Sequence, residues 1–174
     1  VESAVAAMEK ITPDYEVIVV DDGSRDGTSD VVKSLMPRHA ALRLVRNDPN
    51  RGYGGALRAG FAAATKELIL FAPADNQFDL EEAPRLIALI EQGAGIASGY
   101  RAHRNDPFMR KVNAFGWNML IRILFGYLCH DIDCGFKAFR RRILDRVPLQ
   151  SSGAMIDTEL LAGAKARGFV IRDA

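Results

Sequence analysis

The chain has 174 residues, of which 48% are hydrophobic and 26% charged, with a net charge of +1. That length holds one domain with a substantial core and is short for two. The even charge balance gives no global attraction to nucleic acid, so any phosphate-binding surface has to come from local clusters of Lys and Arg.

In chain order, Glu16-Val17-Ile18-Val19-Val20 is a β-branched apolar run that ends in Asp21-Asp22-Gly23-Ser24. Such a run reads as a buried parallel strand whose end carries a functional loop. A helix is predicted over Thr28–Met36, stopped by Pro37, and a second strand over Leu42–Val45. Asn50-Arg51-Gly52-Tyr53-Gly54-Gly55 reads as a Gly-rich turn that enters a helix through Ala56, Ala59, Phe61 and Ala64. Leu68–Phe71 is a third strand, ending in Ala72-Pro73-Ala74-Asp75-Asn76-Gln77-Phe78-Asp79. A helix over Leu80–Glu91 is broken by Gly93 and Gly95, and a fourth strand starts at Ile96. This alternation predicts an α/β fold with a mostly parallel sheet flanked by helices. Right-handed crossovers would gather Asp21, Asp22 and Asp75 in one cleft.

The second half changes character. Phe108, Val112, Phe115, Met119, Ile123 and Leu124 recur at helical spacing, predicting one long amphipathic helix over Asp106–Tyr127, or two broken near Gly116. A short strand over Cys134–Phe139, a basic helix over Arg140–Arg146 and a helix over Ala154–Arg167 capped by Gly168 follow. A last strand starts at Phe169. The stretch Met119–Leu128 is apolar around the helix and too short to span a bilayer. It either packs in the core or lies against lipid with Arg122 reaching the headgroups.

Several segments carry candidate chemistry. Asp21-Asp22-Gly23-Ser24 is either a plain turn or a carboxylate site for ribose hydroxyls or a base N–H. The Gly-rich segment either cradles phosphate at a helix N-terminus or permits close packing. It is neither a P-loop nor a dinucleotide fingerprint. Asp75 places a hard oxygen ligand at a strand end, which suits Mg²⁺ or Mn²⁺. Cys129-His130-Asp131-Ile132-Asp133-Cys134 lacks the second ligand pair of a zinc site. Its two carboxylates make better sense as acid/base or metal-positioning groups. Among the basic residues, Arg101 and Lys137 sit beside strand ends and are the better phosphate candidates. Two cysteines are too few for a disulfide framework and suit free thiols in a reducing compartment. No secretory signal is visible, and since the sequence opens on Val1, a targeting segment or membrane helices outside it stay open.

Taken in order, these segments resemble family 2 glycosyltransferases of the GT-A fold. The resemblance is nearest the dolichol-phosphate mannosyltransferase branch and its bacterial polyprenyl-phosphate relatives. It rests on Val19-Val20-Asp21-Asp22-Gly23-Ser24-x-Asp26-Gly27-Thr28, Asn50-x-Gly52-x-Gly54-x-Ala56-x-x-x-Gly60, Ala74-Asp75-x-Gln77-Phe78, Gly99-Tyr100-Arg101, Asp131-x-Asp133-Cys134-Gly135-Phe136-Lys137 and Asp157-Thr158-Glu159-Leu160-Leu161. It implies one catalytic domain over residues 1–174 that binds a UDP- or GDP-sugar through Asp21, Asp22, Gly52, Ala74, Asp75 and Gln77. It implies Mg²⁺ or Mn²⁺ on Asp75, and inverting transfer with Asp131 as base or acceptor-positioning acid. Arg101, Arg110 and Lys137 are expected near donor phosphate or acceptor.

The implied acceptor is a polyprenyl phosphate at the cytoplasmic face of a membrane, with no nucleic acid partner. Two departures stand out. The family's Asp-x-Asp is here Pro73-Ala74-Asp75, and the family's first strand is not in the sequence, so the sheet is expected to lack part of its centre. A non-catalytic nucleotide-sugar-binding protein, a transferase acting on a soluble acceptor and a nucleotidyltransferase are the competing readings.

Overall fold

The fold is given by a computed structural model that describes residues 1–75, 77–100 and 108–174, without the side chains of 108–115 and 118. The elements run α1 (Glu2–Ile11), β1 (Val17–Asp21), α2 (Thr28–Leu35), β2 (Leu42–Arg46), α3 (Gly52–Ala63), β3 (Leu68–Phe71), α4 (Ala83–Glu91), β4 (Ile96–Ser98), α5 (Phe108–Phe125), β5 (Lys137–Arg140), α6 (Met155–Ala166) and β6 (Ile171–Asp173). The strands come from β-branched and aromatic runs, and the helices from amphipathic or small-residue runs.

The strands form two sheets, β1-β2 and β3-β5-β4-β6. The β1–β2 and β4–β6 pairs are parallel, as the alternating pattern leads one to expect. β5 runs antiparallel to both β3 and β4. β1 pairs with β2 and β3 with β5, so each has one edge beside which no described strand lies.

Side-chain alternation along the larger sheet builds a core on each face. Ile69, Ile96 and Phe139 point to the face covered by α3, α5 and α6, where Phe61, Ile121, Leu160 and Leu161 meet them. Ala97, Phe136 and Ala138 point to the face covered by α4 through Leu86 and Ile90. Phe61 of α3 sits edge-on to Phe71 and Phe139 at 5.4 and 5.2 Å, a favoured aromatic geometry. The same helix brings Gly60 against Val20 of β1, where a Cβ would lie 2.9 Å from the valine methyl. So α3 bridges the two sheets.

Local detail departs from the sequence reading in three places. α3 starts at Gly52, inside the Gly-rich run, so the glycines form its first turn. The basic segment after β5 is a 3-10 turn, Arg141–Ile143, and not a helix. There the buried Ile143 and Val147 bring the chain back to the core. α4 is preceded by a 3-10 turn over Leu80–Glu82, capped by the Asp79 carboxylate accepting from the Glu81 N–H at 2.9 Å. α5 is one continuous helix through Gly116.

Glu16 ties the starts of three strands together. Its Oε1 accepts from the Thr65 N–H and hydroxyl and the Lys66 N–H, at 2.6, 2.8 and 3.2 Å. Its Oε2 accepts from Arg43 of β2 at 2.5 Å. Burial raises its pKa, but these bonds outweigh it and hold the carboxyl at about 2 against an ordinary 4.5. A carboxyl depressed in the folded state contributes fully above its unfolded pKa, and the contribution is lost as pH falls through the folded value. Glu16→Gln is expected to cost about 1–2 kcal/mol at pH 7, or a midpoint lowered by roughly 2–8 °C. The gap from wild type should shrink between pH 5 and pH 2. Thermal melts across that range test it, and a gap independent of pH would remove the charge from the account.

Candidate functional site

The direction of β5 decides where the site forms. Phe71, the last residue of β3, and Ser98, the last of β4, are both in register with Lys137, the first of β5. The loop that enters β5 therefore lies across the carboxyl ends of β3 and β4. In open α/β sheets that edge is where ligands bind.

At the end of β1 the two aspartates divide the work. Asp21 is 2% exposed, and its carboxylate accepts from the Ser24 N–H at 2.8 Å and from the Ser29 hydroxyl. These bonds, Ser29 first, hold its pKa at about 2. Asp21 thus fastens the loop to the first turn of α2. Asp22 is half-buried, and its Oδ1 accepts from Asn47 Nδ2 at 2.8 Å and from the Arg51 N–H at 2.9 Å. Burial works to raise its pKa, but bonds from Arg51, Asn47 and Gly52 hold the carboxyl below the usual range. Asp22 remains an anion facing the start of α3.

Gly52 has φ +75°, a left-handed conformation suited to glycine, and its N–H is taken by Asn50 Oδ1 at 2.9 Å. The Gly54 N–H is taken by the Ser152 carbonyl at 2.8 Å. Gly54 is there for close approach to the 151–153 backbone, in line with the packing alternative.

After β3, Ala74, Asp75 and Gln77 are exposed, and Asp75 Oδ1 accepts from the Gln77 N–H at 3.2 Å. Pro73 is half-buried, and a Cβ on Gly135 would lie 2.6 Å from its ring. Position 73, where the family places a carboxylate, here touches the loop that enters β5. Among the described residues no three His, Cys, Asp or Glu side chains come together as a metal cage. Asp75 offers one hard carboxylate. That fits Mg²⁺ or Mn²⁺ only if substrate phosphates and water supply the remaining ligands, which is how such ions are usually held.

The loop before β5 carries Asp131, 5% exposed, and Asp133, which is exposed. Asp133 lines a cleft of about 540 Å³ with Trp117, Ser151, Ser152, Ala154 and Met155. None of Asp21, Asp22 and Asp75 is among the described residues lining it. Cys129 and Cys134 are buried, and burial pushes the Cys129 thiol up to about 12, so it stays protonated. Lys137, expected near phosphate, is wholly buried. Its ammonium donates to the carbonyls of Ile132, at 3.1 Å, and Cys134, and pairs with Asp157 at 2.7 Å. It is committed to the protein, because a buried ammonium must be matched by oxygen.

Arg101 lies outside the described residues. Arg110 lies on α5, with only its backbone described.

Sequence reasoning assigned no separate role to Tyr53, Trp117 or Asp157. Asp157 stood in a recognised segment, but its partner Lys137 lies 20 residues away and on another element. Glu159 of the same segment accepts from the Gln150 and Ser151 N–H groups, each at 2.9 Å, which fixes one wall of the cleft.

Comparison with known proteins gives one family. The family described as glycosyl transferase family 2 matches residues 1–147. The undecaprenyl-phosphate 4-deoxy-4-formamido-L-arabinose transferase of Yersinia enterocolitica is 34% identical over 147 residues, covering 83% of this chain and 45% of that protein. The protein of the same name from Photorhabdus laumondii is 33% identical over 168 residues, 95% of this chain and 51% of the relative. The chain spans about half the length of the curated relatives it matches. Among solved structures, glucosyl-3-phosphoglycerate synthase from Mycobacterium tuberculosis with Mg²⁺ and uridine diphosphate superposes with a TM-score of 0.75 at 21% identity, over 99% of this chain and 63% of that one. Its complex with Mn²⁺, uridine diphosphate and glucosyl-3-phosphoglycerate gives 0.74 at 21% identity, with the same coverage. These likenesses show the fold.

The packing of Gly54 is directly testable. A Cβ there would lie 2.8 Å from the Ser152 carbonyl carbon and 3.0 Å from the Gly153 carbonyl oxygen, whereas one on Gly153 meets nothing within 4 Å. Gly54→Ala is expected to cost about 1–3 kcal/mol, a midpoint lower by several degrees, and Gly153→Ala close to nothing. Thermal unfolding of the two variants side by side checks this. Equal midpoints would mean that the 151–153 segment does not rest on α3.

Proposed function

The chain belongs to glycosyl transferase family 2, and on that footing we propose that it is the catalytic part of an inverting transferase that moves a sugar from a UDP- or GDP-sugar to a polyprenyl phosphate. The observation that carries the reading is the loop with Asp131 and Asp133 laid across the ends of β3 and β4, beside the cleft. The lipid acceptor is supported by relatives named as undecaprenyl-phosphate transferases. A nucleotide donor and a divalent cation are supported by the uridine diphosphate, Mg²⁺ and Mn²⁺ of the structural neighbours. Residues 1–174 then form one domain, with a further strand between β1 and β3, a reading supported by the open edge of each.

In this reading Asp22 receives the base or ribose, on a loop held by Asp21, and Gly52, Ala74 and Gln77 line the donor. Asp75 would hold Mg²⁺ or Mn²⁺ jointly with the diphosphate. Bound there, the cation neutralises charge that develops on the leaving diphosphate. Asp131 orients the acceptor or takes its proton. A phosphate monoester has a second pKa near ~6 and is already largely ionised at neutral pH, so with a lipid phosphate the work is mainly positioning. Arg101 and Arg110 are assigned to the anionic substrates on the resemblance alone. The exposure of Asp133 in the cleft favours a second reading, in which Asp133 is the acting carboxylate.

The acceptor side also bears on the membrane. No helix among the described residues is long and apolar enough to cross one. On α5, Ile121 is buried, while Met119, Leu120, Ile123, Leu124 and Phe125 are exposed, Ile123 by 74%. Arg122 lies over the Tyr127 ring at 4.9 Å. Isolated exposed leucines need no explanation, but a continuous stripe does. A stripe beside a cation suits the interfacial zone of a bilayer, and we assign it to the cytoplasmic face.

Three outcomes are expected of the full chain. Calorimetry should detect UDP or GDP binding that strengthens with Mn²⁺. Absence of both, with and without metal, would sink the donor assignment. Asp131→Asn should lower kcat with donor affinity retained, by ~10²–10⁴-fold for a hydroxyl acceptor and by less for a lipid phosphate. Normal turnover in Asp131→Asn with loss in Asp133→Asn would move the role to Asp133. In flotation assays, replacing Ile123 and Leu124 by Asp should release the protein from vesicles of anionic phospholipid. Unchanged binding would take the stripe out of the membrane reading.

A further inference from the structure

Lys137 has no exposure to solvent, and its ammonium has three hydrogens to place. Three acceptors surround it: the carbonyls of Ile132 and Cys134 and Oδ1 of Asp157. The Phe71 ring lies 5.6 Å away on the β3 side. The two carbonyls flank Asp133, with Asp131 one residue ahead. One cation therefore fixes the backbone on both sides of Asp133, directly after Asp131.

Asp157 completes a bridge. Its Oδ2 accepts from the Tyr53 hydroxyl at 3.1 Å. Tyr53 stands in the first turn of α3, two residues after Arg51, whose N–H binds Asp22. The donor-side loop and the acidic loop are thus joined by one hydroxyl and one ion pair. A buried ion pair is rarely retained for stability, since apolar residues of like volume often do as well. Here the pair has a geometric task that apolar residues cannot perform, which is to hold two carbonyls at a point.

We propose that Lys137 and Asp157 are positioning residues that set the Asp131–Cys134 loop, and that Tyr53 ties this setting to the Asp22–Tyr53 side of the site. The catalytic consequence rests on the transferase reading given above, whereas the positioning itself does not.

The test uses the full chain with Tyr53→Phe, Asp157→Asn and Lys137→Met. Amide hydrogen exchange without ligand is read over residues 131–134, with β4 and α4 as internal references. Exchange in the loop should quicken by ~10-fold or more in Asp157→Asn and Lys137→Met, and by less in Tyr53→Phe, while the references stay protected. Tyr53→Phe loses one hydroxyl at a half-exposed site, so it decides the matter if Lys137→Met does not fold. Tyr53→Phe should also lower kcat by ~10-fold with donor KM within about 2-fold, because a misplaced group acts on the transition state. Loop exchange equal to wild type in Tyr53→Phe and Asp157→Asn overturns the proposal. So does a Tyr53→Phe enzyme with raised donor KM and unchanged kcat, which would place Tyr53 in the donor site alone. If wild type transfers no sugar to any acceptor, the transferase reading fails while the exchange arm still decides the positioning.

Discussion

A charged amine enclosed between two strand ends has to be met by oxygen, and much of the site follows from how Lys137 meets that need. Leaving an ammonium unmatched in a low-dielectric interior costs several kcal/mol. The chain answers with two backbone carbonyls and one carboxylate. The carbonyls draw the loop before β5 onto the ends of β3 and β4. The carboxylate draws the start of α6 onto the same point. With these two settled, the Ser151–Ala154 segment follows, because Glu159 of α6 accepts its backbone N–H groups and Gly54 of α3 packs beneath it.

The ends of β1 and β3 show how burial separates residues that look alike in sequence. Asp21 and Asp22 are adjacent acids in one turn. The first is enclosed and spent on Ser24 and Ser29, and the second is half-buried with one oxygen held by Asn47 and the Arg51 N–H, just ahead of α3. Asp75 and Asp79 divide in a similar way. Both are exposed, but Asp79 caps the 3-10 turn before α4, accepting at 2.9 Å, while Asp75 accepts one longer bond, 3.2 Å, from the Gln77 N–H.

The strand–loop signals were legible because each is local. A β-branched run that stops at Asp, Gly and Ser needs only its own neighbours to declare itself, and β1, β2, β3 and β4 appear where those runs lie. The direction of β5 was not legible, since parallel and antiparallel strands of this length share one composition. Lys137 was misjudged for a related reason. A lysine beside a strand end reads as a phosphate candidate unless its counter-ion is known, and Asp157 is 20 residues away. The start of α3 was placed late because glycines argue against a helix. They are tolerated here because any larger residue at Gly54 would strike the backbone of 151–153. Arg140–Arg146 reads as a basic helix, but it forms a single 3-10 turn that sends Ile143 into the core and leaves Arg141 and Arg142 exposed.

The edges that β1 and β3 turn toward the strand proposed between them bear on how this polypeptide behaves when that strand is out of place. β1 reads Val-Ile-Val-Val-Asp and β3 reads Leu-Ile-Leu-Phe, each with one side beside which no described strand lies. Neither carries the lysine, proline or bulge by which natural edges discourage company. Both combine high β-propensity with little charge, the composition of segments that stack into cross-β ribbons. A chain in which the strand proposed between β1 and β3 is out of place therefore offers eight apolar positions and one aspartate along these edges. Association from that state should follow the exposure of these ribbons far more closely than it follows salt.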